Sequence, residues 1–107
     1  MYRVVFVTVP TREEGQSIAR DLLERRLCAC VNIVDRVSSF FWWEGKIDTA
    51  QEFLLVIKTR ATLVKKVTSA VKALHSYKVC EVIAVPIQGG NRDYLNWIGA
   101  SCGRDSS

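Results

Sequence analysis

The stretch Phe40-Phe41-Trp42-Trp43-Glu44-Gly45-Lys46 decides how the rest of the chain is read. Glu44-Gly45-Lys46 reads as a tight reversal, with glycine placed where a positive φ is needed. On its N-terminal side, Cys28 to Trp43 is rich in Val, Ile, Phe and Trp, the residues that suit a pleated, half-buried surface. Asp35-Arg36 interrupts the alternation there and predicts a bulge or local bend. Residues 47 to 59 return as the partner strand. Phe53 to Ile57 is apolar on both faces, which places that part in the middle of a sheet.

A hairpin arm of about a dozen residues reaches roughly 40 Å at roughly 3.3 Å per residue, well beyond a common strand of five or six. Its tip must overhang the rest of a small domain. Successive strand residues point to opposite faces, so Phe40, Phe41, Trp42 and Trp43 load rings onto both sides of the overhang. One chain cannot cover them all, and burial of several rings against a partner offsets the entropy of association. Assembly into an oligomer is the expectation. The competing reading folds the final helix, with Tyr94 and Trp97, over the tip within one chain.

Working outward, Tyr2 to Val9 reads as a buried strand stopped by Pro10. Thr11 followed by Glu14 has the capping-box pattern, and Ile18, Leu22 and Leu23 carry a helix over 12–26 whose end is marked by Arg25 and Arg26. Val64, Val67, Val71 and Leu74 predict a second helix over 62–74. A short strand follows over 81–88. Asn91 caps a last helix bearing Leu95, Ile98 and Cys102. The order βαββαβ plus a short helix predicts an α+β, ferredoxin-like antiparallel sandwich with strand order 4-1-3-2 and helices on one face. It fills a single domain over 1–103, and 104–107 reads as a frayed polar tail.

At 107 residues, 49% apolar and 24% charged, the chain has the balance of one ordinary globular domain. No run approaches the roughly eighteen apolar residues of a membrane span, and the strand-like N-terminus makes a poor signal peptide. Four scattered cysteines, Cys28, Cys30, Cys80 and Cys102, lie in apolar segments and suit a reducing, cytoplasmic compartment. The net charge of +4 is modest. Its densest spots, Arg25-Arg26 and Lys65-Lys66, fall on helices as solvated faces, so neither nucleic acid nor a membrane is expected as a partner.

Four spaced motifs then come together in order. They are Val31-Asn32-Ile33-Val34, Trp42-Trp43-Glu44-Gly45-Lys46-Ile47, Leu55-Val56-Ile57-Lys58-Thr59, and Pro86-Ile87 through Gly90-Asn91-x-Asp93-Tyr94-Leu95-x-Trp97. Across nearly the whole chain, from Val4 to about Ala100, this resembles the CutA family of divalent-cation tolerance proteins. The resemblance implies a tight homotrimer whose hairpins pair across subunits, and a link to tolerance of copper and other divalent metals. It also implies a proposed role in organising acetylcholinesterase among animal members, and no established catalytic reaction. Three non-enzymatic roles follow: metal tolerance, a small-ligand module similar to the trimeric PII regulators, and a trimeric scaffold for a protein partner.

His75 is the only histidine, which argues against His-rich metal motifs and His-based nucleophilic triads. It ends the second helix, and Glu81 opens the fourth strand, where an imidazole and a carboxylate could converge on a divalent metal such as Cu(II). No cofactor is required. In the family some members carry a copper-liganding Cys near the end of the first strand, where this chain has Val7. The structural alternative makes His75 a helix-end group satisfying carbonyls, with Glu81 paired to a Lys or Arg. Cys28-x-Cys30 reads as core packing, Gly89-Gly90-Asn91 as a turn and cap, and Lys58, Arg60 and Tyr77 as candidates to line a cleft between subunits.

Overall fold

The computed structural model describes residues 1–103; the tail over 104–107 lies outside the described residues. Its elements are β1 (Tyr2–Val9), α1 (Arg12–Glu24), β2 (Cys30–Trp43), β3 (Lys46–Arg60), α2 (Val64–Leu74, entered through a 3-10 turn at Ala61–Leu63), β4 (Ile83–Pro86) and α3 (Arg92–Ser101). The four strands form one sheet in the order β2-β3-β1-β4 with antiparallel pairings, the ferredoxin-like arrangement expected from the sequence.

Local chemistry accounts for the boundaries. The Glu14 amide donates to Thr11 Oγ1 at 3.1 Å, so α1 begins at its expected cap. It ends two residues before the expected Arg26. Arg26 takes a left-handed φ of 59°, Leu27 N–H donates to the Leu22 carbonyl and Arg26 N–H to that of Leu23. This Schellman closure consumes the last carbonyls of the helix, with arginine standing where glycine is commoner.

The fourth strand is also shorter than the expected 81–88. Ile83 pairs with Phe6 and Val85 with Val4, and extending that register would bring residue 81 opposite Thr8. The Thr8 carbonyl instead accepts from His75 Nε2 at 2.7 Å. With that acceptor taken by a side chain, β4 begins only at Ile83, and Glu81 lies in the preceding loop rather than at the start of a strand. β2 likewise starts at Cys30. Cys28 is buried in the core, while Cys30 is half-buried beside Lys58 and Asn32 on the other sheet face.

One face of the sheet carries the core. Val5, Val7 and Val9 of β1 with Leu55 and Ile57 of β3 are fully buried against Ile18 and Leu22 of α1 and Val67 and Val71 of α2. Gly15 allows the close approach of α1, since a β-carbon there would stand 3.1 Å from Leu55 and 3.2 Å from Val9. Among the described residues, little covers the opposite face. Val4 and Phe6 are half-buried there with Leu54 and Val56, beside the exposed Val34, Ile83 and Val85.

The hairpin runs the length of a molecule whose longest dimension is 44 Å. It closes at Glu44 (φ 50°) and Gly45 (φ 80°), a two-residue turn whose twist matches the strands. Val34 pairs with Leu54 and Val37 with Glu52, leaving Asp35 and Arg36 opposite Phe53 alone. Arg36 adopts φ 58° at this bulge. One inserted residue reverses the parity of β2: Cys30, Asn32 and Val34 on one side of it share a sheet face with Val37, Ser39, Phe41 and Trp43 on the other.

Candidate functional site

Where the hairpin leaves the sheet, a cleft of about 840 Å³ opens between its base and the loop joining α2 to β4. Thr8 contributes from β1, and Ser76, Tyr77, Lys78, Val79 and Glu81 from the loop. The hairpin supplies Phe41, Trp43, Asp48 and Glu52, which the register places on a common face. Phe40 and Trp42 also border the cleft, but their side chains leave the opposite face and are the most exposed rings, at 74% and 73%.

The polar heart of the cleft is a short chain of contacts. Tyr77 donates its hydroxyl proton to Glu52 Oε2 at 2.8 Å, and Glu52 is only 5% exposed. Burial, followed by this bond to a carboxylate, pushes the Tyr77 phenol up to about 12, so it stays a donor at any physiological pH. Glu81 is raised above the ordinary carboxylate range, first by partial burial and then by the charge of Glu52. Among the described residues no ion pair involves Asp48, Glu52 or Glu81.

His75 stands behind this wall. Its side chain is fully buried, and Nε2 faces the Thr8 carbonyl, a group that can only accept, so Nε2 carries the proton. Nδ1 accepts from the Tyr77 amide at 3.0 Å. Glu14 Oε2, 3.2 Å from Nδ1, accepts in turn from the Ser76 amide at 2.8 Å, tying α1 to the same loop. The rings of His75 and Tyr77 pack at 4.8 Å between centroids. His75 therefore satisfies a carbonyl, though of β1 rather than of its own helix, and positions Tyr77.

The two residues expected to converge on a metal are not in direct contact: His75 packs on Tyr77, which bonds Glu52, and Glu81 feels Glu52 only through its charge. Neither imidazole nitrogen has a lone pair free for a cation, and Val7 at the expected thiolate position is buried in the core. Among the described residues there is no group of three or more His, Cys, Asp or Glu side chains that could hold a metal. The donor set here does not fit a preformed divalent-metal chelate.

Of the residues expected to line a cleft between subunits, Tyr77 borders this cleft within the chain. Lys58 bonds the side chain of Asn32, and Arg60 donates to the carbonyls of Gly99 and Cys102. Glu52, Asp48 and Glu14 were not legible as site residues. The one signal was Glu52 itself, a carboxylate immediately before the apolar run Phe53 to Ile57.

Comparison with known proteins agrees with this architecture. A family model described as the CutA1 divalent ion tolerance protein matches residues 3–101. The chain is 46% identical over 103 residues to the divalent-cation tolerance protein CutA of Thermus thermophilus, covering 96% of this chain and all of that one. It is 53% identical over 95 residues to the chloroplastic protein CutA 1 of Oryza sativa, covering 89% of this chain and about half, 54%, of the plant protein. The solved Thermus thermophilus structure superposes with a TM-score of 0.94, at 46% identity and with 96% and 100% of the two chains covered. The Oryza sativa CutA1 structure gives 0.93, at 49% identity over 97% and 95%. Fold, hairpin and sequence agree along almost the entire length, and the chain belongs to the CutA1 divalent ion tolerance protein family.

Proposed function

We propose that this protein is a non-catalytic homotrimer acting in divalent-cation tolerance, copper in particular, in a reducing cytoplasmic compartment. The observation that carries the assembly is the uncovered sheet face. Val4, Phe6, Val34, Leu54, Val56, Ile83 and Val85 form an apolar surface across all four strands, bounded by the unpaired edges of β2 and β4. Such a face with open edges calls for another chain. Phe40 and Trp42 add rings on the far side of the hairpin. The metal role rests on family membership and on the naming of relatives such as the Thermus thermophilus protein.

Light scattering on the purified protein tests the assembly, with a trimer mass as the supporting result. Native metal content and Cu(II) titration test the metal role. A protein that is monomeric and binds no divalent ion would end the proposal. A second reading, a small-ligand module similar to the PII regulators, is favoured by one observation, the cleft of about 840 Å³. Its size falls within the roughly 300–1,000 Å³ of small-molecule sites. A thermal-shift screen of nucleotides, anions and amines addresses it.

A further inference from the structure

We propose that the cleft between the hairpin base and the α2–β4 loop binds a small organic cation, a primary ammonium carried on an aromatic or apolar body. The inference rests on the small-ligand reading above and names the chemistry of the ligand. It is independent of the metal role.

Asp48, Glu52 and Glu81 face the cleft against one cation, Lys78, and among the described residues none of the four is ion-paired. Glu52 is buried without a counter-ion, while Asp48 and Glu81 stand exposed at the rim; a lone buried carboxylate is costly, and an entering cation offsets that cost. Glu52, nearly fully buried, has one oxygen held by Tyr77, which fixes the carboxylate on the cleft wall. An ammonium reaching it makes charge-assisted hydrogen bonds in a partly desolvated setting, where they are strong.

The walls decide between kinds of cation. Phe41, Trp43 and Tyr77 line the cleft, and aromatic rings attract an organic cation and pack against its apolar body. A hard divalent ion needs six or more oxygen ligands or water in their place and gains nothing from rings. No group of three ligating side chains exists among the described residues to supply such a shell. The volume, about 840 Å³, far exceeds a bare ion and suits a molecule of the size of an aromatic amine. The two-residue turn, by setting Trp43 opposite Lys46 and Phe41 opposite Asp48, places Phe41 and Trp43, rather than Phe40 and Trp42, on the face that carries Asp48 and Glu52.

The test is calorimetric titration of the intact, purified oligomer with phenethylamine, in EDTA at pH 7.5, beside its neutral counterpart 2-phenylethanol. The expected result is saturable binding of the amine at one site per chain. The alcohol should bind at least about tenfold more weakly, the loss expected when a charged hydrogen bond is removed. Glu81→Gln and Asp48→Asn, each checked for unchanged oligomer mass, should each weaken the amine several-fold and leave the alcohol unaffected. Equal binding of amine and alcohol, or an amine affinity unmoved in both variants, would overturn the proposal. Absence of saturable amine binding overturns it too, as when a neighbouring subunit's own side chain fills the cleft. A nucleotide or anion that stabilises the oligomer while the amine does not bind would sink the cationic assignment and leave the small-ligand reading standing.

Discussion

The imidazole of His75 donates from Nε2 to the carbonyl of Thr8 at 2.7 Å, taking the place that the amide of residue 81 would hold if β4 continued along β1. One side chain thus shortens the edge strand, frees the loop over Ser76–Val82 to wall the cleft, and uses the proton that fixes its own tautomer.

His75→Ala should therefore act on stability before it acts on metal. Removing the imidazole leaves the Thr8 carbonyl and the Tyr77 amide without partners, at a cost of about 1–3 kcal/mol in denaturant unfolding. Cu(II) titration should give the same isotherm for the variant and wild type, because neither ring nitrogen is free in the folded protein. A selective loss of Cu(II) binding in the variant would restore His75 as a ligand.

Assembly should depend on the open face and on the outer rings of the hairpin. Val56→Asp sets a carboxylate in the apolar sheet surface, and Phe40→Ser with Trp42→Ser removes the two most exposed rings. Light scattering should report smaller or aggregated species for the first and a weakened oligomer, dissociating on dilution, for the second. A trimer of unchanged mass in both would remove these surfaces from the interface.

The pH dependence of stability carries the signature of Glu81. Its folded-state carboxyl titrates above the ordinary value of 4.5, so the fold prefers it protonated. Below that ordinary value both folded and unfolded states hold the proton and nothing is lost; as pH rises through the raised folded value, ionisation subtracts stability. Glu81→Gln should accordingly melt higher than wild type at pH 7, with the difference closing at pH 4. An equal gap at both pH values would assign it to packing instead.

The bulge offers a backbone test. Arg36 holds φ 58° without the freedom of glycine, so Arg36→Gly should stabilise by about 0.5–1 kcal/mol if no side-chain contact is lost. Deleting Arg36 should remove the bulge and its bend while leaving Val37 opposite Glu52 and Phe41 opposite Asp48, so the hairpin should stay folded with its tip re-aimed, read as a changed oligomer mass rather than unfolding.

Thiol chemistry should separate the cysteines. Burial, then the neighbouring Cys102, pushes the Cys28 thiol up to about 12. Iodoacetamide at pH 8 should leave Cys28 and Cys102 unmodified in the native protein by peptide mass mapping, and label all four in denaturant. Rapid native labelling of Cys28 would show that the core opens near Leu27–Ala29.

Features that depend on local pattern could be read from the residues alone. Alternation and β-branching marked the strands, Thr11 and Asn91 marked helix starts, and Glu44-Gly45 with Asp35-Arg36 marked the turn and the bulge, because each acts through residues a few positions apart. The strand order followed from chirality and connection rules. Tertiary structure alone decided that Arg26 closes α1, that His75 displaces the end of β4, and that Glu52, Tyr77 and Glu81 meet across a cleft. Those outcomes turn on which donor reaches which carbonyl between segments distant in the chain, and on the extra residue in β2 that lets Val34 and Val37 share one sheet face.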